Sequence, residues 1–330
     1  MQPSEMRCPT LVELPRPPAG KNGWPWIVET PPLASVRPDG TPWPRVTIVT
    51  PSFNQGQFVE QTIRSVLLQG YPNLEYIVMD GGSSDESVQI LNRYAKWFSH
   101  FESKPDGGQV KAINAGFSMA TGEILAWVNS DDGYLPNVLG TVAALVQGRN
   151  DSTFLYGNSL SLMENGSVQH VVSPRVHPAY SVFYGTAYPQ HSCFWTADIH
   201  LPIWDELVCA IDYELWLRML PHARHIKWVN KALAFASQHS KQKTSKSQFD
   251  QWGRHWERDL ALVKDRHKAA FKRLSRPSAK WIRARYRVDL LAHRIGNAVT
   301  YSSVYFAALF PEREISNVSA LRNLFRRRTI

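Results

Sequence analysis

Between Arg45 and Asp132 apolar, β-branched runs alternate three times with segments of helical spacing, and each apolar run stops at a small cluster of Gly, Ser, Asn and Asp. Val46-Thr47-Ile48-Val49-Thr50 is β-branched throughout and closes at Pro51-Ser52-Phe53-Asn54, which predicts a strand entering a turn. Phe58, Ile63, Val66 and Leu67 then follow helical spacing up to Gly70. Leu74 to Met79 is a second apolar run, ending at Asp80-Gly81-Gly82-Ser83-Ser84-Asp85. Ser83 with Glu86 has capping-box spacing, so a helix is expected to start there and run through Ile90, Leu91 and Tyr94. A short strand around Phe98 to Ser103, the turn Pro105-Asp106-Gly107-Gly108 and a helix from Val110 to Ala120 lead into Glu123 to Asp132, an apolar run ending in two adjacent carboxylates. Such alternation predicts βαβ units and a Rossmann-like, mainly parallel α/β sheet flanked by helices. Ligands of these sheets bind beyond the carboxyl ends of the strands, and Ser52, Asp80, Asp106 and Asp131 all fall just there. Asp131 and Asp132 would repel unless they were solvated, shared a proton or held a cation; a solvated turn has the same composition.

The second half departs from this pattern. Beyond Pro136 a helix is expected to about Val146, and Phe154 to Met163 with Ser167 to Val172 flank Asn165-Gly166, a hairpin signal. Residues 190–197 predict a further strand, and Asp212-Tyr213-Glu214-Leu215-Trp216-Leu217-Arg218 opens a helix with an acid near its amino terminus, which capping alone would explain. Residues 1–44 are proline-rich with Trp24, Trp26 and Trp43, and predict an extended arm docked through its indoles. Residues 45–245 are expected to form the main domain, and 246–330 a basic helical extension.

The net charge of +9 is unevenly placed: residues 251–330 hold 18 Lys and Arg against 6 Asp and Glu, so the rest of the chain carries −3. Basic character therefore belongs to the tail. The apolar stretch Ile295 to Phe310 and Arg326-Arg327-Arg328 fit either a helical cap on the domain or peripheral contact with an anionic membrane surface at the inner face. No nucleic-acid motif accompanies the charge. Cys8, Cys193 and Cys209 have no paired or metal-binding spacing, and the first residues do not form a secretory signal, so a cytoplasmic protein without disulfides is expected.

Four segments together resemble the family 2 inverting glycosyltransferases of the GT-A fold: Val49-Thr50-Pro51-Ser52-Phe53-Asn54, Asp80 to Asp85, Asn129-Ser130-Asp131-Asp132, and Asp212 to Arg218. Pro105 to Gly108 and Asn114-Ala115-Gly116 resemble the same family, and the match covers roughly residues 45–245. The resemblance implies a nucleotide-sugar donor, expected to be UDP-linked, and a saccharide or lipid-linked acceptor in polysaccharide or glycoconjugate biosynthesis. It places Thr50, Pro51, Ser52 and Asp80 at the base and ribose, with Gly108, Lys111 and Asp131 also on the nucleotide side. It implies that Asp131, with Asp132 as support or substitute and His239 from a late loop, holds Mg²⁺ or Mn²⁺, although Asn129 replaces one acid of the family's Asp-x-Asp motif. It makes Asp212 the general base, with Asp205 and Glu206 as competitors, and puts Gln190, His191 and Trp195 on the acceptor side, where Trp195 either stacks on a sugar or packs in the core. Two other functions fit less well: a nucleotidyltransferase, which lacks here its Gly-rich basic loop after the first strand, and a non-catalytic nucleotide- or glycan-binding or membrane-anchoring module, which needs no base.

Overall fold

A computed structural model describes residues 8–146, 151–173, 188–243 and 249–268. The alternation read from the sequence appears as β1 (Val46–Ser52), α1 (Gly56–Leu67), β2 (Leu74–Asp80), α2 (Ser87–Tyr94), β3 (His100–Ser103), α3 (Gln109–Met119) and β4 (Ile124–Trp127). These are followed by β5 (Asp132–Tyr134), α4 (Val138–Leu145), the hairpin β6 (Thr153–Met163) and β7 (Val168–Val171), β8 (Cys193–Thr196), α5 (Ile211–Met219), β9 (His225–Gln238) and α6 (Phe249–Arg266). One sheet runs in the order β3-β2-β1-β4-β8-β6-β9-β5, with β7 beside β6. Its β3-β2-β1-β4 portion is parallel, as βαβ crossovers require. The remainder mixes directions: β8 runs antiparallel to β4 and β6, β9 parallel to β6, and β5 antiparallel to β9. The α/β sheet with flanking helices is thus as expected, with antiparallel pairing concentrated in the second half.

Several boundaries shift for local reasons. Pro51 and Ser52 continue β1 instead of turning; β4 pairs with β1 only through Val49, so the missing proline N–H leaves no ladder bond unmade on that side. α2 starts at Ser87, after the capping box expected at Ser83 and Glu86, because the Ser83 hydroxyl and amide are already bonded to Asp80. Asp85 does the capping instead, accepting N–H bonds from Ser87 of α2 and from Gly56 of α1, both at 2.9 Å. α4 begins at Val138, two residues beyond Pro136, with Asn137 in a left-handed conformation before it.

The arm is docked through more than its indoles. Trp24 and Trp26 are buried, and Trp24 Nε1 donates to the Tyr134 carbonyl at 2.8 Å. Arg64 of α1 is fully buried and donates to the carbonyls of Pro15, Pro25 and Trp26. Each bond from a buried guanidinium is worth about 1.5–3 kcal/mol, so this side chain fastens residues 15–26 to the back of α1. All three cysteines are free and buried. The segment Ile295 to Phe310 and the terminal arginines lie outside the described residues. Among the described residues no helix is long and apolar enough to cross a membrane.

Candidate active site

The parallel strands end together, and so do the loops that follow them. Ser52 closes β1 beside Asp80 at the end of β2, and Asp80 pairs in register with Ser103 at the end of β3. Asp80 is buried, and its carboxylate accepts four bonds: from Ser83 Oγ (2.6 Å), Ser83 N (2.9 Å), Gly82 N (3.2 Å) and Ser103 Oγ (2.7 Å). A carboxylate offers about four acceptor positions. Asp80 therefore shapes the loop from within, and its amide and hydroxyl partners are what that loop presents outward. Thr50 is equally engaged, its hydroxyl 3.1 Å from Tyr76 Oη in the core. Ser52 is different: its Oγ is buried without a partner among the described residues.

Asp106, which the sequence places at the strand ends, and Phe53, which it does not single out, stand over this loop. A Cβ added to Gly81 would lie 3.2 Å from Asp106 Oδ1 and 3.3 Å from Phe53 Cδ2, so both side chains close over the glycine. Phe53 is 59% exposed, an unusual state for a phenyl ring at the end of a buried strand. Its signal was its place in the Pro-Ser-Phe-Asn turn. Asp106 accepts the Gly108 N–H at 2.7 Å. Lys111, one turn into α3, folds over Gly107 and is exposed.

The carboxylate pair meets its partners through β5. Asp132 pairs with Ala236, so the end of β9 is laid beside Asp131, and His239 Nε2 lies 3.1 Å from Asp131 Oδ2. Gly133 permits this: a Cβ there would stand 2.4 Å from the Phe235 ring and 2.6 Å from Ser65 Oγ of α1. The His239 ring stacks on Phe58 at 4.3 Å, and its Nδ1 is buried without a partner among the described residues. Asp131 and Asp132 are not equivalent. Burial, and then the neighbouring Asp131 charge, raise the Asp132 pKa well above the usual carboxylate range. The shift is in the direction that would relieve the repulsion anticipated for the pair. Asn129 joins the two sides of the cleft: it donates to Asp132 Oδ2 (3.2 Å) and Gln190 Oε1 (3.3 Å), and accepts from Gln109 Nε2 (2.9 Å). Gln109 in turn accepts from Lys243 Nζ at 2.9 Å, a lysine whose pKa burial lowers.

Of the residues the resemblance puts on the acceptor side, His191 lies 3.9 Å from Asp132, but burial lowers its pKa to about 4, so the neutral ring forms no ion pair at neutral pH. Trp195 is a core residue, 1% exposed and packed against Trp127 and Trp216 with ring centroids 5.7 and 5.5 Å away. Gln190 holds the Trp127 carbonyl at 2.7 Å. Asp212 lies in the first turn of α5 with Oδ1 accepting the Tyr213 N–H at 2.8 Å, and burial pushes its pKa up to about 6. Its charge, after burial, also helps raise the Cys193 thiol pKa, which places the carboxylate by the start of β8. Of its competitors, Asp205 accepts from Asn114 at 3.0 Å and exposed Glu206 pairs with Arg266.

The model for Glycosyl transferase family 2 matches residues 47–184, which contain the ends of β1 to β4 and the Asp131–Asp132 pair. Over those residues the chain is similar to a family 2 glycosyltransferase domain. An uncharacterized glycosyltransferase of Mycobacterium tuberculosis is 34% identical over 116 residues, covering 34% of this chain and 44% of that protein. Glycosyltransferase GlyG of Streptococcus pneumoniae is 33% identical over 118 residues, covering 34% of this chain and 38% of that protein. The matched part thus spans less than half the length of either relative. Among solved structures, Staphylococcus aureus TarS 1-349 in complex with UDP is 21% identical with a TM-score of 0.49, covering 59% of this chain and 60% of that one. Mannosyltransferase PcManGT from Pyrobaculum calidifontis, in complex with GDP-Man and Mn²⁺, is 15% identical with a TM-score of 0.47 over 92% of this chain and 91% of that one. The likeness to family 2 therefore rests on sequence.

Proposed function

We infer that this domain is a metal-dependent, inverting glycosyltransferase that moves a sugar from a nucleotide-sugar donor, UDP-linked by preference, to a hydroxyl of a saccharide or lipid-linked acceptor. The observation that carries the reading is the meeting of Asp131 with His239, 3.1 Å apart, at the carboxyl edge of a parallel sheet. Of the two facing atoms, the carboxylate oxygen suits Mg²⁺ and Mn²⁺ alike, while the softer imidazole nitrogen favours Mn²⁺ of the two. Among the described residues no group of three or more His, Cys, Asp or Glu could hold a metal ion. A pair suits a cation that completes its coordination with water and phosphate oxygens. When bound, the cation would neutralise charge on the departing nucleoside diphosphate.

The chain's own groups divide the remaining work. Phe53 offers an open ring face to a base, and Asp106, beside it over Gly81, offers an acceptor to a base N–H or ribose hydroxyl. The loop built on Asp80 sets the floor of that pocket. Asp212 takes the proton of the acceptor hydroxyl as its oxygen bonds to the anomeric carbon and the bond from that carbon to the diphosphate breaks. With a pKa near 6 the carboxyl is mostly ionised at neutral pH yet basic enough for that transfer.

The test is a thermal-shift screen of the full chain against UDP, GDP, ADP, CDP and dTDP, each with and without Mn²⁺, since a ligand of the folded state raises Tm by mass action. Stabilisation by one diphosphate, larger with Mn²⁺, is the expected result. No shift with any of them would refute a nucleotide-sugar site.

A further inference from the structure

The helix that carries Asp212 is not capped from within. Its N-cap position, Ala210, has no side-chain bond to offer, and the amides before it need partners. They find one in α6, beyond the main domain as read from the sequence. Asp259 is fully buried, and its Oδ2 accepts N–H bonds from Val208 (2.8 Å), Cys209 (2.7 Å) and Ala210 (3.4 Å). Its Oδ1 accepts from Arg258 Nε (3.0 Å) and Nη2 (2.6 Å), and Arg258 Nη2 also donates to the Glu206 carbonyl at 2.8 Å. The same turn is gripped twice more: Lys243 Nζ reaches the Val208 carbonyl at 3.3 Å, and Arg266 pairs with Glu206 while lying 4.2 Å over the Trp204 ring.

We propose that Asp259 is a positioning residue for the transfer reaction: by fastening residues 208–210 it fixes the first turn of α5 and with it the direction of the Asp212 carboxylate. This rests on the assignment of Asp212 as base. Asp212 is two residues beyond Ala210, and the hydrogen bond its Oδ1 accepts from the neighbouring Tyr213 N–H moves with the helix and does not aim it. Burial alone would raise the Asp259 pKa, but the amides of Cys209 and Val208 and the Arg258 guanidinium bring it below the ordinary carboxylate value, so the anchor stays charged wherever Asp212 is ionised. Lys243 ties the same turn to Gln109 and so to Asn129, which gives residues 249–266 a place in the site's geometry that a dispensable extension would not have.

The experiment compares full-length Asp259→Asn, Arg258→Met and Asp212→Asn, reading kcat and donor KM for hydrolysis of the nucleotide-sugar chosen from UDP-, GDP-, CDP- and dTDP-linked hexoses, and the affinity for its nucleoside diphosphate with Mn²⁺. Asp259→Asn is expected to lower kcat about 100-fold, the scale of a misplacement near 1 Å, with KM and diphosphate affinity held within about twofold. Arg258→Met, a change at a half-exposed side chain, should lower kcat several-fold in the same pattern. Native kcat in folded Asp259→Asn, or a loss shared equally by affinity, would overturn the proposal. If Asp259→Asn does not fold, Arg258→Met decides, and an unchanged kcat overturns it. Native turnover in Asp212→Asn would refute the base assignment itself, whereas lost turnover there with native kcat in Asp259→Asn removes only the positioning role.

Discussion

The two walls of the proposed site are held in different ways. On the side of β1 to β3, polar groups satisfy one another at short range: Asp80 bonds to Gly82 and Ser83, two and three residues on, and Asp106 bonds to Gly108. On the other side the contacts span the chain. His239 meets Asp131 across 108 residues, Lys243 meets Gln109 across 134, and Asp259 meets Cys209 across 50. A wall made of loops with internal bonds keeps its shape whenever its strands are formed. A wall made of distant single contacts can lose its alignment while the fold survives. Changes to the internal bonds of the first side should therefore register as stability, and changes to the long-range contacts of the second as binding or turnover.

The largest departure is expected at the long-range wall. Asp131→Ala should reduce Mn²⁺-dependent nucleoside diphosphate affinity on the order of 10³-fold with Tm nearly unchanged, as read by calorimetric titration. Equal affinity with and without Mn²⁺ in the native chain would remove the metal from that wall. Asp80→Ala should act the other way. Removing the buried carboxylate that holds two hydroxyls and two amides of a half-buried loop costs about 2 kcal/mol, a drop in Tm of several degrees. A native Tm would show that the loop does not depend on its internal bonds. His239→Ala should weaken Mn²⁺ affinity by about 10- to 100-fold and leave binding of the nucleotide without metal intact. The smallest effect is set by pH. Because burial raises the Asp212 pKa to about 6, its basic form is present above that value and is lost as pH falls through it. Turnover should fall about tenfold from pH 7 to pH 5. A profile flat to pH 4 would mean an ordinary carboxylate or a different base.

The same contrast governs what could be read from the sequence. The parallel half was legible because each strand is a β-branched run and each crossover a helix with its own periodicity, both local signals. The hairpin at Asn165-Gly166 was legible for the same reason. The pairing of β5 with β9 was not: Asp132–Tyr134 is only three residues long, buried throughout and without alternation, and it makes sense only beside Ala234 to Ala236. The capping box at Ser83 and Glu86 misled because Asp80 competes for the same serine, a contest that spacing does not reveal. The arm had no periodicity to read, since its backbone carbonyls, taken up by Arg64, hold it. Asp259 left a signal that went unused. It continues the helical stripe of Trp252, Trp256 and Val263, and an acid on an apolar stripe is buried only with partners. The division at residue 245 followed composition, whereas the contacts of α6 with residues 204–210 follow the site.

The central claim is that one site seats the nucleotide against the first wall and draws both its metal and its base from the second. Asp212→Asn measured twice on the same sample, for nucleoside diphosphate affinity with Mn²⁺ and for nucleotide-sugar turnover, tests it most directly. The account predicts native affinity with turnover lowered at least about 100-fold, the lower range for loss of a general base. Native turnover, or affinity lost along with it, would contradict the division of labour between the two walls.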